Sequence, residues 1–250
     1  MSADGGSRGA STGGAARHGA APDAPTAPGG TTAPDGATAT GGASTTRRPR
    51  LVLATHNAHK VGELRAILAP LLPALTPEDV VGAGDFGVAE PVEDGVTFAE
   101  NALIKARALA AATGLPAVAD DSGLCVDVLG GAPGIFSARW AGRHGDDRAN
   151  LELLLAQLGD VPAQHRGAHF FCAAALVTPA GEEVVETGTM PGTLLTAPRG
   201  AGGFGYDPVL RPDGEERSAA ELSPEEKNAL SHRGKAFRAL APSIAAVLAD

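Results

Sequence analysis

Leu115-Pro116-Ala117-Val118-Ala119-Asp120-Asp121-Ser122-Gly123-Leu124 sets two adjacent acids directly after a short apolar run and follows them with a hydroxyl and a glycine. An apolar run that stops at acids and a glycine reads as a buried strand leaving its sheet at the carboxyl end. In open α/β sheets that end is where ligands bind. Two carboxylates held side by side there repel one another unless a cation lies between them or one takes up a proton. A hard divalent ion with oxygen ligands, magnesium, is the simplest resolution. A lone Asp-Asp pair is more often a solvated acidic turn, so the weight falls on what surrounds it.

Upstream, Leu51-Val52-Leu53-Ala54 is another apolar run, ending in the polar Thr55-His56-Asn57. From Ala58, the positions Val61, Leu64, Ile67 and Leu68 recur at helical spacing until Pro70 stops them. Thr97-Phe98-Ala99-Glu100 has the spacing of a capping box and opens a helix to about Ala112, closed by Gly114 and Pro116. Downstream, Asp146 and Asp147 cap a helix carrying Leu151, Leu154, Leu155 and Leu158. Residues 168–177 and Glu183 to Thr189 read as antiparallel neighbours joined through Pro179-Ala180-Gly181. Ser223-Pro224-Glu225-Glu226 opens a further helix, and Phe237, Leu240, Ile244, Val247 and Leu248 stripe the last. Strands that alternate with helices, interrupted by one long hairpin, predict an α/β domain with a mixed central sheet and flanking helices.

Residues 1–46 contain no Leu, Ile, Val, Phe, Tyr or Trp, so they bury too little apolar surface to offset the entropy of ordering. We therefore expect a disordered low-complexity tail at 1–49 and one domain at 50–250. The tail lacks the apolar core of a secretory signal, and no segment is long and apolar enough to cross a bilayer; a soluble cytoplasmic protein is expected. The formal net charge is −9, and because the tail is net basic the domain is more acidic still. Such a domain lacks the basic stripe that long nucleic acid requires, and Arg47, Arg48 and Arg50 alone would give only a shallow salt dependence. Cys125 and Cys172 lie far apart without metal-site spacing and fit a reduced compartment as small buried hydrophobes.

Four further clusters carry chemistry. Thr55-His56-Asn57-Ala58-His59-Lys60 places hydroxyl, amide and ammonium groups where a strand gives way to a helix amino terminus, which suits phosphate or serves as an ordinary cap; it lacks the glycines of a P-loop. Glu93 is a candidate further oxygen ligand for the metal, whereas Glu100 completes the capping box; Asn101 and Lys105 lie one helical turn apart and could share the site. Phe204 and Tyr206 stand in a glycine-rich segment of a chain with only 4% aromatic residues. An aromatic face there would stack on a base, a contact worth about 1–3 kcal/mol; the alternative is simple core packing. Lys227, His232 and Arg233 supply cationic or donor groups either for a solvated helix face or for reading a purine carbonyl.

Six segments together resemble one family, the inosine triphosphate pyrophosphatases, also described as dITP/XTP or non-standard purine nucleoside triphosphate pyrophosphatases. They are Thr55-x-Asn57-x-x-Lys60, Thr97-Phe98-x-Glu100-Asn101-Ala102, Ala119 to Leu124, Gly130-Gly131-Ala132-Pro133-Gly134, Gly202 to Pro208 and Ser231-His232-Arg233-Gly234. They run in the family's order and span nearly the whole domain. The resemblance implies two lobes around a nucleotide-binding cleft, a homodimer, magnesium, and hydrolysis of dITP, ITP or XTP to monophosphate and pyrophosphate. It implies that residues 55–60 hold the triphosphate, that Asp121 is the catalytic base, and that Glu93 and Asp121 bind magnesium. Ser122 would contact substrate; Phe204, Gly205, Tyr206, Asp207, Lys227, His232 and Arg233 would form the nucleotide pocket. The chemistry agrees: a donor that pairs with the 6-oxo group of hypoxanthine is left unpaired by adenine, at a cost of about 1–3 kcal/mol. A related pyrophosphatase for pyrimidine or modified triphosphates, or a nucleotide-binding regulator without catalysis, are the alternatives.

Overall fold

The structure, a computed structural model, describes residues 49–55 and 58–249, with the backbone only at 58–60. The expected tail at 1–49 lies outside the described residues except for Pro49. Strand β1 (Leu51–Leu53) is the apolar run read from the sequence, and all three of its side chains are buried. It is flanked by parallel β2 (Val80–Gly82) and parallel β3 (Ala117–Val126). From there the sheet turns antiparallel through β4 (Gly167–Val177), β5 (Glu183–Leu194) and β6 (Leu210–Pro212). The order is β2-β1-β3-β4-β5-β6, the mixed sheet that alternation and hairpin together predicted. Among the described residues no helix is long and apolar enough to cross a membrane.

Side chains alternate between the two faces of a strand, and here that rule sorts the cores. One face packs α2 (Phe98–Thr113) against Val52, Ala117, Ala119, Ala173 and Ala175. Small residues on both partners, Ala102, Ala106 and Ala110 on the helix, let that helix lie close to the sheet. The opposite face carries α1 (Ala58–Leu68) and α5 (His232–Ala249), whose Leu64, Phe237, Leu240 and Ile244 cover Leu51, Leu53, Val118 and Leu176. Further along the same face, Leu124, Phe170 and Met190 form a second core with α3 (Asp147–Gln157). The two cores of this face are the two lobes, and the long strands β3 to β5 run from one to the other.

The helix ends behave as their residues dictate. Thr97 Oγ1 accepts from Glu100 N at 3.1 Å while Glu100 Oε2 accepts from Thr97 N at 3.1 Å, the reciprocal pair expected of a capping box. Gly114 closes α2 in the left-handed region. A short α4 (Pro224–Leu230) opens on the Ser223–Glu226 box, and Ser231 separates it from α5.

One expectation fails. The acids do not end the strand: β3 continues through Asp120, Asp121, Ser122 and Gly123 to Val126, paired with β4 throughout. Aspartate is a poor strand former, but ten residues of antiparallel pairing with a buried neighbour override local preference.

Candidate active site

The opening belongs to β1, not β3. β1 stops at Leu53, and just beyond it Ala54 N donates to Val118 O of β3 at 2.7 Å. The acids of β3 therefore lie just past the carboxyl end of β1. As neighbours in a strand they project to opposite faces. The premise that one ion sits between two repelling carboxylates is therefore wrong: each acid has its own partners.

Asp121 faces α2. Its Oδ2 accepts from Asn101 Nδ2 at 3.3 Å, and its Oδ1 lies 3.4 Å from Lys105 Nζ. The same ammonium is 3.2 Å from Glu93 Oε1. Asn101 and Lys105 are one turn apart on α2 and so share the face that meets β3. Burial raises the Asp121 pKa; Lys105 pulls it back, Glu93 pushes it up again, and the result is above the ordinary aspartate value. Burial opposes the charge on Lys105, but Asp121, Asp120 and Glu93 outweigh it and raise its pKa. The buried Oδ1 of Asn101 finds no hydrogen-bond partner among the described residues.

Asp120 faces the other way. Its Oδ2 accepts from Nε and Nη2 of Arg233 at 3.1 and 3.0 Å, and from Ser122 Oγ at 2.9 Å. Arg233 Nη1 donates in turn to Glu63 Oε2 at 2.9 Å. Arg233 is only 2% exposed; burial works against its charge, yet Asp120 and Glu63 hold the pKa far above the ordinary range.

Between the two lobes on this face lies a pocket lined by Ser122, Phe170, Phe204, Lys227, His232 and Arg233, among others. His232 and Arg233 form the first turn of α5, which approaches β5 closely because residue 188 is glycine: a Cβ there would stand 2.2 Å from His232 O. The His232 ring stacks on Phe170 with centroids 4.9 Å apart. Burial, with Arg233 and Lys227 adding, holds its pKa well below the usual histidine value. The imidazole is therefore neutral, with one donor and one acceptor nitrogen, and its buried Nδ1 has no partner among the described residues.

Phe204 is 45% exposed, with Lys227 Nζ 5.0 Å and Arg233 Cζ 5.7 Å from its ring centroid. Asp207 holds this edge together: it accepts from Phe204 N at 2.8 Å and from Lys227 Nζ at 2.6 Å. Gly203, at φ 71°, is required beneath it, since a Cβ would fall 2.0 Å from Asp207 Oδ2. Gly205 N is tied to Asp147 Oδ2 at 2.9 Å.

Several sequence-predicted residues therefore meet, in different capacities. Asp121 and Glu93 converge, and Ser122, Phe204, Lys227, His232 and Arg233 share one pocket. Tyr206 borders it, but its ring belongs to the core at 4% exposure and its hydroxyl donates to Ser137 O at 3.0 Å. Asp207 anchors the loop. Thr55 is buried just beyond β1, and Ala58, His59 and Lys60 open the backbone of α1; His56 and Asn57 lie outside the described residues. Glu63 and Phe170 were not singled out in the sequence. Glu63 reads there as an ordinary polar helix position and Phe170 as part of an apolar strand; nothing local marks either.

Two carboxylates gathered on a lysine at one face of β3, with a cation-edged aromatic pocket at the other, suit a nucleotide-hydrolysing enzyme built on a mixed α/β sheet. The chain belongs to the Ham1 family, whose model matches residues 51–243. It is 67% identical over 200 residues to the dITP/XTP pyrophosphatase of Streptomyces coelicolor, covering 80% of this chain and 98% of that protein. A dITP/XTP pyrophosphatase of Leifsonia xyli is 57% identical over 198 residues, covering 79% and 96%. Among solved structures, a HAM1 protein from Coxiella burnetii superposes with a TM-score of 0.70 at 40% identity, covering 78% of this chain and 98% of that one. A nucleoside-triphosphatase / dITP/XTP pyrophosphatase from Mycobacterium abscessus gives 0.64 at 52% identity, covering 77% and 99%.

Proposed function

We propose that this chain hydrolyses deaminated purine nucleoside triphosphates, ITP, dITP and XTP, to the monophosphate and pyrophosphate, and so keeps them out of the nucleotide pool. The observation that carries the reading is the pair of groupings that β3 holds together, Asp121 with Lys105 and Glu93 on one face and the pocket of His232 and Phe204 on the other. A nucleotide whose base sits in the pocket would extend its phosphates toward Asp121.

In this mechanism Asp121 takes a proton from a water as the water's oxygen attacks the α-phosphorus. The bond from that phosphorus to the oxygen bridging the α- and β-phosphates breaks, and pyrophosphate leaves with the bonding pair. A carboxyl whose pKa is raised by its surroundings is a stronger base than an exposed aspartate. Lys105 and residues 55–60 hold phosphate oxygens. Phe204 stacks on the base, and His232 presents its N–H to the 6-oxo group; an adenine amino group leaves that donor unpaired. Tyr206 and Asp207 support the pocket from beneath.

The residues fit magnesium. Glu93 and Asp121 are near enough to share one cation, since an oxygen of each lies within 3.4 Å of Lys105 Nζ, and one or two carboxylates plus substrate phosphates are the usual magnesium set. Magnesium held by these carboxylates would take the place of the Lys105 ammonium, leave that ammonium to the phosphate oxygens, neutralise phosphate charge and make a nearby water more acidic. The same reading makes the protein a cytoplasmic homodimer acting on a small molecule and not on nucleic acid, with the domain at 50–250 carrying the activity.

The test is a panel of ITP, XTP, GTP, UTP and dTTP assayed for pyrophosphate with magnesium. We expect kcat/KM to be highest for ITP and XTP. No preference for either over GTP, UTP and dTTP would reject the assignment.

A further inference from the structure

The Arg233 guanidinium is the meeting point of three elements. It receives Glu63 from α1, Asp120 from β3, and belongs itself to α5. Each element serves a different part of the site: α1 follows residues 55–60, β3 carries Asp121, and α5 opens with His232 beside Phe204. A guanidinium is planar and offers its donors in a rigid fork. Three elements fastened to one such plane are fixed in distance and in angle.

We propose that Glu63 is a positioning residue for turnover, acting through Arg233 to hold the base pocket at the correct span from Asp121. The proposal rests on the functional reading above. Stability alone is a poor reason for the arrangement, because apolar packing of similar volume often does as well as a buried ion triad. Among the described residues the bond made by the Glu63 side chain, 16% exposed, is to Arg233 and not to Asp121 or its partners Asn101, Lys105 and Glu93. What it can change is the placement of Arg233, and through it the base relative to the scissile phosphate. A misplacement of about 1 Å at a reacting centre costs on the order of a hundredfold in rate.

The experiment compares Glu63→Gln with the parent on ligands that span the site and ligands that do not. ITP occupies the base pocket and the whole phosphate run; inosine monophosphate and pyrophosphate each occupy one part. If Glu63 sets the span, Glu63→Gln lowers kcat/KM for ITP by about tenfold or more, mainly in kcat. Inhibition constants for inosine monophosphate and pyrophosphate should move by less than about threefold, and Glu63→Asp, which keeps the charge, should recover part of the rate. Equal weakening for all three ligands, or an unchanged kcat/KM for ITP, overturns the proposal. Melting curves check folding. If Glu63→Gln does not fold, Glu63→Asp is read on the same three ligands; if neither folds, Glu63 is a stability residue and the proposal fails. A parent that releases no pyrophosphate from ITP overturns the functional reading itself, and this proposal with it.

Discussion

Asp121, the proposed base, is held with a raised pKa, at a cost to stability once it ionises. Burial raises its pKa, Lys105 only partly offsets this, and Glu93 and Asp120 add to it. The folded protein therefore keeps that proton to a higher pH than the unfolded chain does, so ionising Asp121 costs stability as pH rises from the unfolded value through the folded one. Asp121→Asn should lower kcat by about 10²–10⁴-fold, the range for a lost general base, while its Tm equals or exceeds that of the parent. The Tm advantage should widen from acid toward neutral pH; a melting series for both proteins checks this, and a variant less stable than the parent at neutral pH would refute it. At this scale the sequence was a good guide to which residues gather but a poor one to their partners. Asp120 and Asp121 stand out as a pair, yet strand alternation sends them to opposite faces, a fact that becomes available only once β3 is known to continue past them. Arg233 reads as a base-reading donor, and only the fold shows three of its N–H groups committed to Asp120 and Glu63.

At the level of elements, the signals that could be read were those with a local cause. Thr97 with Glu100, Ser223 with Glu226, and the left-handed Gly114 mark helix ends through bonds made within a few residues. The strands β2 and β6, three residues each, carry too few positions to show a period and are held by pairing with distant partners. The close approach of α5 to β5 is also nonlocal: it depends on the missing side chain at Gly188. Gly188→Ala forces a methyl into the first turn of α5, so the strand or the helix must shift. We expect a loss of about 1–3 kcal/mol, as for overpacking a core, with a raised KM for ITP because His232 and Arg233 move with the turn. Denaturant unfolding alongside steady-state kinetics reads both, and an unchanged midpoint and KM would show the contact to be slack.

For the molecule as a whole, two lobes share three long strands, and the cleft between them sits where one short parallel strand ends. The mixed sheet followed from the alternation of strand and helix patterns with one long hairpin; the place of the cleft did not, because it is set by where β1 stops relative to β3. All of these features fall within residues 50–249, so removing residues 1–46 should leave kcat/KM for ITP within about twofold of the full chain. A larger loss would give that segment a part in catalysis. The central claim is that Asp121 directs a water at the α-phosphorus. Hydrolysis of ITP with magnesium in ¹⁸O-labelled water, followed by mass analysis of the products, tests it directly. The account predicts label in inosine monophosphate and none in pyrophosphate; label in pyrophosphate, or release of orthophosphate in its place, would contradict it.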